Sequence, residues 1–330
     1  MADGICIFAE HWEQQLSPVF FQLVTAAGKL AGTTKEPVQA ILAASNPEPL
    51  LEQMAGLPLD QVYVAKLPKD GFFQEEWMSA VYEKMLRKIC PSVLLVPASD
   101  QGRSVFPRVA YRLKAGMTAD CTELKMGKRE DGTYYLRQIK PSFEENVKVC
   151  IECREGVYPQ IATVREGVYD AFESQEDAAE FSVEYLDDMP QPQENAQLLE
   201  VLPPSKEAGS LQAAEIVVVG GRGALEGENF RLLCEFAEKI GAAVGGTRPL
   251  MDMGKIPFDA QIGQTGCTIR PKICLSFGVS GAIQHTEGIK NTKLFIAVNT
   301  AQDAPIFQRA DYGVVCDMKP VLEELAARLP

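Results

Sequence analysis

The sequence predicts an α/β protein made of two doubly wound parallel-sheet domains, the first carrying an antiparallel extension. Its 330 residues, at about 150 per domain, make roughly two domains. Toward both ends of the chain, short β-branched runs alternate with longer helical windows, which is the grammar of parallel strands joined by crossovers and covered on both faces. Between the two alternating regions, residues 166–204 hold eleven acids and no Lys or Arg. With Pro190, Pro192, Pro203 and Pro204, that stretch reads as a solvated connector. The expected domains are therefore 1–165 and 206–330, with an acidic tether over 166–205.

In the first domain, strands are expected at 5–9, 38–44, 61–66 and 93–98, and helices at 17–31, 47–53, 74–88 and 103–113. Then the pattern changes. Runs at 120–127, 134–140 and 147–152, with Glu130-Asp131-Gly132-Thr133 as a turn, predict the antiparallel extension. The second domain is expected to have strands at 215–219, 242–245, 273–277, 294–298 and 314–316. Its helices fit at 227–240, 280–288, 304–309 and 320–329.

Composition narrows the function. A chain that is 46% apolar and 23% charged is ordinary globular material. Without an eighteen-residue apolar span or a basic, apolar N-terminal leader, it is expected to be soluble and cytoplasmic. A net charge of −13 opposes a nucleic-acid surface. The nine cysteines are odd in number and scattered, which suits a reducing compartment. Cys150-Ile151-Glu152-Cys153 has no second pair beside it, and His11 and His285 are far apart, so structural thiols and no metal are expected.

In open sheets of this class a ligand sits outside the carboxyl ends of the strands. In the second domain those ends carry glycine or polar breaks. The first is Gly220-Gly221-Arg222-Gly223, with Gly227 ahead of a helix, suited to phosphate or ribose. Gly245-Gly246-Thr247-Arg248-Pro249 follows, where the proline biases Arg248 toward extended backbone. Next come Gly263-Gln264-Thr265-Gly266 and Gly278-Val279-Ser280-Gly281-Ala282-Ile283-Gln284-His285, in which Ser280 is placed to cap a helix. Asn299, Asp303-Ala304-Pro305 and Asp317 complete the edge. Breaks after successive strands imply a long polar ligand. No GxGxxG with an acid about twenty residues on accompanies them, which weighs against a self-contained NAD-dependent dehydrogenase.

These motifs, together with Ala304-Pro305-Ile306-Phe307 and Ala310-Asp311-Tyr312-Gly313, resemble the α subunit of electron transfer flavoproteins. The resemblance implies an extended FAD held by Arg222, Gly223, Thr247, Arg248, Ile262, Gly263, Gln264, Thr265, Ser280, Gly281, Ala282, Ile283, Gln284, His285, Asn299, Asp317 and Met318. It implies that Arg248, Thr265 and His285 tune the flavin, Thr265 by a hydrogen bond near N5 and the other two as cation or donor. A unit charge at about 4 Å is worth about 4 kcal/mol at an effective dielectric of 20. It further implies a β subunit paired with the first domain as a heterodimer. Function then follows as an electron carrier subunit rather than a stand-alone catalyst, shuttling between a dehydrogenase of the acyl-CoA type and a redox acceptor, with the acidic tether letting the flavin domain swing. The alternatives are a subunit of an electron-bifurcating, NADH-oxidising flavoprotein, a subunit of an acyl-CoA reductase complex, or, from another class, a non-redox nucleotide-binding adaptor.

Overall fold

The computed structural model describes residues 2–71, 73–142, 147–174, 180–192, 200, 211–289 and 291–328. The chain divides into two compact units, Met1–Val201 and Leu202–Pro330.

The first unit runs β1 (Ile5–Phe8), β2 (His11–Trp12), β3 (Gln15–Leu16), α1 (Pro18–Thr34), β4 (Val38–Ala44), α2 (Glu48–Gln53), β5 (Gln61–Lys66), α3 (Glu75–Ile89), β6 (Val93–Pro97) and α4 (Asp100–Leu113). It continues through β7 (Met117–Cys121), β8 (Glu123–Lys128), β9 (Tyr134–Pro141), β10 (Lys148–Glu152), β11 (Gln160–Val164) and β12 (Ser182–Tyr185). A seven-stranded sheet of order β12-β5-β4-β1-β6-β11-β7 forms its centre, with every pairing parallel. Every residue of β1, β4, β6 and β11 is buried, as it must be for strands covered by helices on both faces. α1 opens with proline, where the missing N–H costs nothing, and Ser99 caps α4 by accepting from the Gly102 N–H at 3.0 Å.

The antiparallel extension is β10-β9-β8, but the expected strand at 120–127 is two strands. Met117–Cys121 joins the parallel sheet beside β11, and Glu123–Lys128 joins the extension. The chain breaks between them because Asp120 is left-handed, φ 63°. Its N–H donates to Thr163 Oγ1 at 2.8 Å and its carboxylate accepts from Arg165 Nε at 3.0 Å. Burial would raise the Asp120 pKa, yet Arg165, Arg103 and Lys140 hold it below the usual carboxylate range.

The acidic stretch also departs from expectation. Rather than a free tether from residue 166, its described residues up to Pro190 make contacts with the first unit. Ser182–Tyr185 extends the sheet beside β5, Leu186 is buried among α3 and α4 residues, and Trp77 Nε1 donates to the Pro190 carbonyl at 2.6 Å. Its charge is answered locally. Glu184 pairs with Lys88 at 3.0 Å and Asp188 with Lys84 at 2.8 Å. Lone strand patterning at 182–185 was hidden by flanking acids, whose partners lie a hundred residues earlier. The rest of the expected tether, 175–179, 193–199 and 201–205, falls outside the described residues.

Between β1 and β6 the strand order of the first unit reverses, and the second residue beyond β1 is Glu10, only 9% exposed. Ser99 Oγ donates to its carboxylate. Burial raises its pKa, with Glu166 and Asp100 adding to the effect and the Ser99 and Ser17 hydrogen bonds opposing it. A raised folded pKa means that this group supports folding below its unfolded pKa and that the support is lost as pH rises through the folded value. Glu10→Gln is therefore expected to stabilise the first unit at pH 8, by on the order of 1 kcal/mol, with the gain vanishing near pH 4. Urea titrations followed by tryptophan fluorescence test this, since both tryptophans, Trp12 and Trp77, are in that unit.

The second unit runs β13 (Ile216–Gly220), a 3-10 turn (Arg222–Leu225), α5 (Asn229–Lys239), β14 (Ala243–Gly246), α6 (Arg248–Asp252), a 3-10 turn (Phe258–Ala260) and β15 (Ile273–Phe277). Then follow α7 (Ile283–Thr286), β16 (Leu294–Asn299), a 3-10 turn (Pro305–Gln308), β17 (Tyr312–Val315) and α8 (Met318–Arg328). Its five strands are parallel in the order β14-β13-β15-β16-β17. The core joins Val217, Val219, Leu233, Phe236, Phe277 and Phe295. α6 was unexpected. Pro249 does not keep Arg248 extended, because the pair occupies the first turn of the helix, where proline is tolerated. Nor does Ser280 cap a helix. α7 begins three residues later with Ala282 at its N-cap.

Candidate functional site

The chain leaves β13 for β14 on one side and returns to β15 on the other, so the crevice between the carboxyl ends of β13 and β15 is the reversal point of this sheet. A cleft of about 810 Å3 opens there. Its walls come from the segments after all five strands, among them Arg222 and Gly223, Thr247 and Arg248, Gly278 to Ser280, Asn299, and Asp317.

The two chains at the reversal point approach too closely for side chains. Gly221 donates its N–H to the Phe277 carbonyl at 2.8 Å, and a Cβ on Gly221 would stand 2.2 Å from the Gly278 oxygen. Gly281 has φ +91°, and a Cβ there would lie 2.1 Å from the Ile306 nitrogen. The Ile306 N–H in turn donates to the Ser280 carbonyl at 3.1 Å. These glycines let the loops that wall the cleft pack backbone against backbone.

Most of the residues expected from sequence line this one cleft: Arg222, Gly223, Thr247, Arg248, Ile262, Gly263, Thr265, Ser280, Ala282, Gln284, His285, Asn299, Asp317 and Met318. Gln264, Gly281 and Ile283 do not. The Gln264 N–H is turned to the Gln284 carbonyl at 2.6 Å, Gly281 is pressed against Pro305 and Ile306, and Ile283 starts α7. Two expected contacts are also engaged by backbone. Asn299 Nδ2 donates to the Val279 carbonyl at 2.7 Å and its Oδ1 accepts from the Ala301 N–H at 2.9 Å. Asp317 Oδ1 accepts the Lys319 N–H at 2.8 Å, starting α8.

Gln261, Asn229 and Glu226 line the cleft without having been expected. Gln261, 3% exposed, donates from Nε2 to Thr265 Oγ1 at 3.0 Å, and Asn229 Nδ2 donates to the Gly223 carbonyl at 3.1 Å. An uncharged residue within an unassigned loop carries no such signal in sequence. The neighbourhood of Asn229 was expected only as helix.

Electrostatically the cleft is cationic at two points. Arg222 is exposed and forms no ion pair among the described residues. Arg248 meets Asp252 at 3.5 Å with its side chain 72% exposed, so solvent and that carboxylate reduce its field far below the estimate for an unscreened charge. His285 behaves differently. It is 6% exposed, and its Nδ1 lies 2.9 Å from the Ile262 carbonyl. A carbonyl can only accept, so Nδ1 carries the hydrogen. Burial lowers the pKa, the Ile262 bond opposing, which favours the neutral ring with its lone pair on Nε2.

Two buried polar atoms of cleft-lining residues, Thr247 Oγ1 and His285 Nε2, have no hydrogen-bond partner. Buried polar atoms left unpaired are costly, and a polar ligand would satisfy them. No cluster of metal-ligating side chains occurs among the described residues. None of the nine cysteines is in a disulfide, and Cys150 is exposed while Cys153 is buried.

Residues 5–188 match the electron transfer flavoprotein domain, and residues 210–290 match the electron transfer flavoprotein FAD-binding domain. Among curated relatives, the electron transfer flavoprotein subunit alpha of Thermoanaerobacterium thermosaccharolyticum is 35% identical over 97% of this chain and 96% of its own. A subunit of the lactate dehydrogenase (NAD(+),ferredoxin) of Acetobacterium woodii is 37% identical over 98% of this chain and 76% of its own. The acryloyl-CoA reductase electron transfer subunit beta of Anaerotignum propionicum is 30% identical over 95% and 92%.

Proposed function

The chain belongs to the electron transfer flavoprotein α-subunit family, and from that premise we propose how its cleft holds FAD and whom it serves. It is the FAD-binding subunit of an electron carrier. The observation that carries the site is the pair of unpaired buried atoms, Thr247 Oγ1 and His285 Nε2, on the walls of a cleft at the sheet's reversal point. Bare glycine backbone and two guanidinium groups beside them suit a long, anionic dinucleotide.

Bound FAD supplies reversible uptake and release of electrons, which no side chain here provides. Arg222 and the Gly223 region address the diphosphate. Thr247, Ile262 to Gly263, Thr265, Ser280, Ala282, Gln284, Asn299, Asp317 and Met318 line its course, whereas Gln264, Gly281 and Ile283 support that lining from behind. Thr265 offers a hydroxyl and Arg248 a permanent charge, screened by water and by Asp252. His285 offers a nitrogen whose proton content depends on its surroundings.

Several relatives of this chain are named as electron transfer flavoprotein α subunits. We assign the β-subunit contact to the first unit and the electron donor to a flavin dehydrogenase of the acyl-CoA type. Its free thiols suit the cytoplasm, and no described helix is long and apolar enough to cross a membrane. A second reading is favoured by one relative whose name couples NAD(+) with ferredoxin: this chain is the α subunit of an electron-bifurcating flavoprotein. Purification with the co-expressed β subunit separates the two. One FAD per heterodimer with no reduction by NADH supports the simple carrier; two FAD and reduction by NADH support bifurcation, and colourless protein would sink both. Arg248→Ala in that heterodimer is expected to lower the potential of the bound FAD by on the order of 40 mV, the scale of an exposed ion interaction for one electron. Spectroelectrochemistry reads it, and an unchanged potential removes Arg248 from the tuning role.

A further inference from the structure

Thr265 stands at the cleft with an exposed side chain, and four residues earlier Gln261 is 3% exposed. Gln261 is fixed by its backbone on both sides. Its N–H donates to the Phe258 carbonyl at 3.1 Å and its carbonyl accepts from the Cys267 N–H at 2.8 Å. An isolated parallel bridge ties it to Gly246 at the end of β14. From this anchored position its Nε2 donates to Thr265 Oγ1 at 3.0 Å.

A threonine hydroxyl has one hydrogen to give and lone pairs to receive, and its hydrogen rotates to suit its neighbours. An amide N–H can only be received. Once Gln261 occupies a lone pair of Oγ1, the hydroxyl hydrogen must point away from Gln261, and the open direction for an exposed group on the cleft wall is the cleft. We propose that Gln261 is a positioning residue that holds Thr265 as a hydrogen-bond donor toward bound FAD. The inference rests on the reading that Thr265 addresses the flavin, and it adds a direction to that bond.

The residue type carries the argument. Glutamine donates where glutamate can only accept, so Gln261→Glu offers the Thr265 hydrogen a carboxylate and draws it out of the cleft. Gln261→Leu keeps the bulk and leaves the hydroxyl to rotate among its staggered positions. Gln261→Asn, one methylene shorter, loses reach while staying polar, and stands in for leucine should that variant not fold.

The test uses the full chain purified with its β subunit, and reads FAD affinity, the flavin absorption spectrum and the midpoint potential. Thr265→Val sets the reference. Gln261→Glu is expected to weaken FAD binding about tenfold, the scale of one charge-neutral hydrogen bond lost and its donor withdrawn, and to move spectrum and potential in the same direction as Thr265→Val. Gln261→Leu and Gln261→Asn are expected to move them less. In a Thr265→Val background, Gln261→Glu should add no further spectral or potential change. Equal effects of Glu and Leu, or a Gln261→Glu effect undiminished in that background, overturn the positioning role while leaving Thr265 as a flavin contact. A Thr265→Val protein identical to the parent in all three readouts overturns the underlying contact as well.

Discussion

Gly281→Val is expected to abolish FAD binding and to destabilise the second unit by about 3 kcal/mol or more. Two separate costs meet at this position. The backbone has φ +91°, which a β-branched residue adopts only under strain. The added Cβ would also lie 2.1 Å from the Ile306 nitrogen, and that atom is backbone, so no side chain can rotate aside. Relief requires the Pro305–Gln308 turn to move outward, which breaks the Ile306 N–H bond to the Ser280 carbonyl. Ser280, Ala282 and Gln284 all line the cleft, and their segment would be displaced with it. Gly254→Ala is the control. Its φ is +66° but an added Cβ meets nothing within 4 Å, so only the conformational cost of about 1 kcal/mol is expected, with FAD binding intact. Flavin-quenching titrations and amide exchange of the second unit measure both variants. Parent-like FAD affinity in Gly281→Val would show that the close approach has no bearing on the site.

Much of this architecture is legible in the sequence because the parallel strands are buried on both faces. Runs such as Val38–Ala44 and Ile273–Phe277 stand out against polar helices, and the structure keeps those bounds unchanged. The elements that escape notice lack that contrast. β11 is fully buried but mixes Gln160 and Thr163 into a five-residue run, and the covering helices that place it are distant in sequence. β12 hides among acids, of which Glu184 in the strand and Asp188 beyond it find lysines on α3. At the site, glycine and arginine announce themselves through their backbone freedom and charge. Gln261 does not, since its meaning lies in a 3.0 Å contact to a hydroxyl. The tautomer of His285 is equally invisible until the Ile262 carbonyl is in place.

That tautomer sets the second large effect. The Nδ1 hydrogen of His285 is committed to the Ile262 carbonyl, which leaves the lone pair of the neutral tautomer on Nε2. Burial disfavours the imidazolium and so lowers the pKa of the ring. Negative charge placed beside Nε2 reverses the balance, because only a protonated Nε2 can donate to it while Nδ1 remains bonded to the carbonyl. Were FAD held with its charge-accumulating edge at Nε2, reduction would supply such a charge, and His285 is then expected to bind a proton more tightly. The sign follows from linkage: a group that binds a proton more tightly in the reduced holoprotein makes the one-electron potential fall as pH rises. The slope approaches about 59 mV per pH unit between the lowered pKa of the oxidised form and the higher pKa of the reduced form, and it flattens above the latter. His285→Gln keeps an amide able to donate but cannot titrate, so its potential should be nearly independent of pH over that window. Potentiometric titrations of parent and variant between pH 5.5 and 8.5 compare the slopes. Two parallel lines would mean that the proton goes elsewhere and that His285 contributes only a neutral contact. Without a ligand the same lowered pKa predicts that the apo chain gains stability as pH rises toward the unfolded histidine value and loses it as pH falls through the folded one.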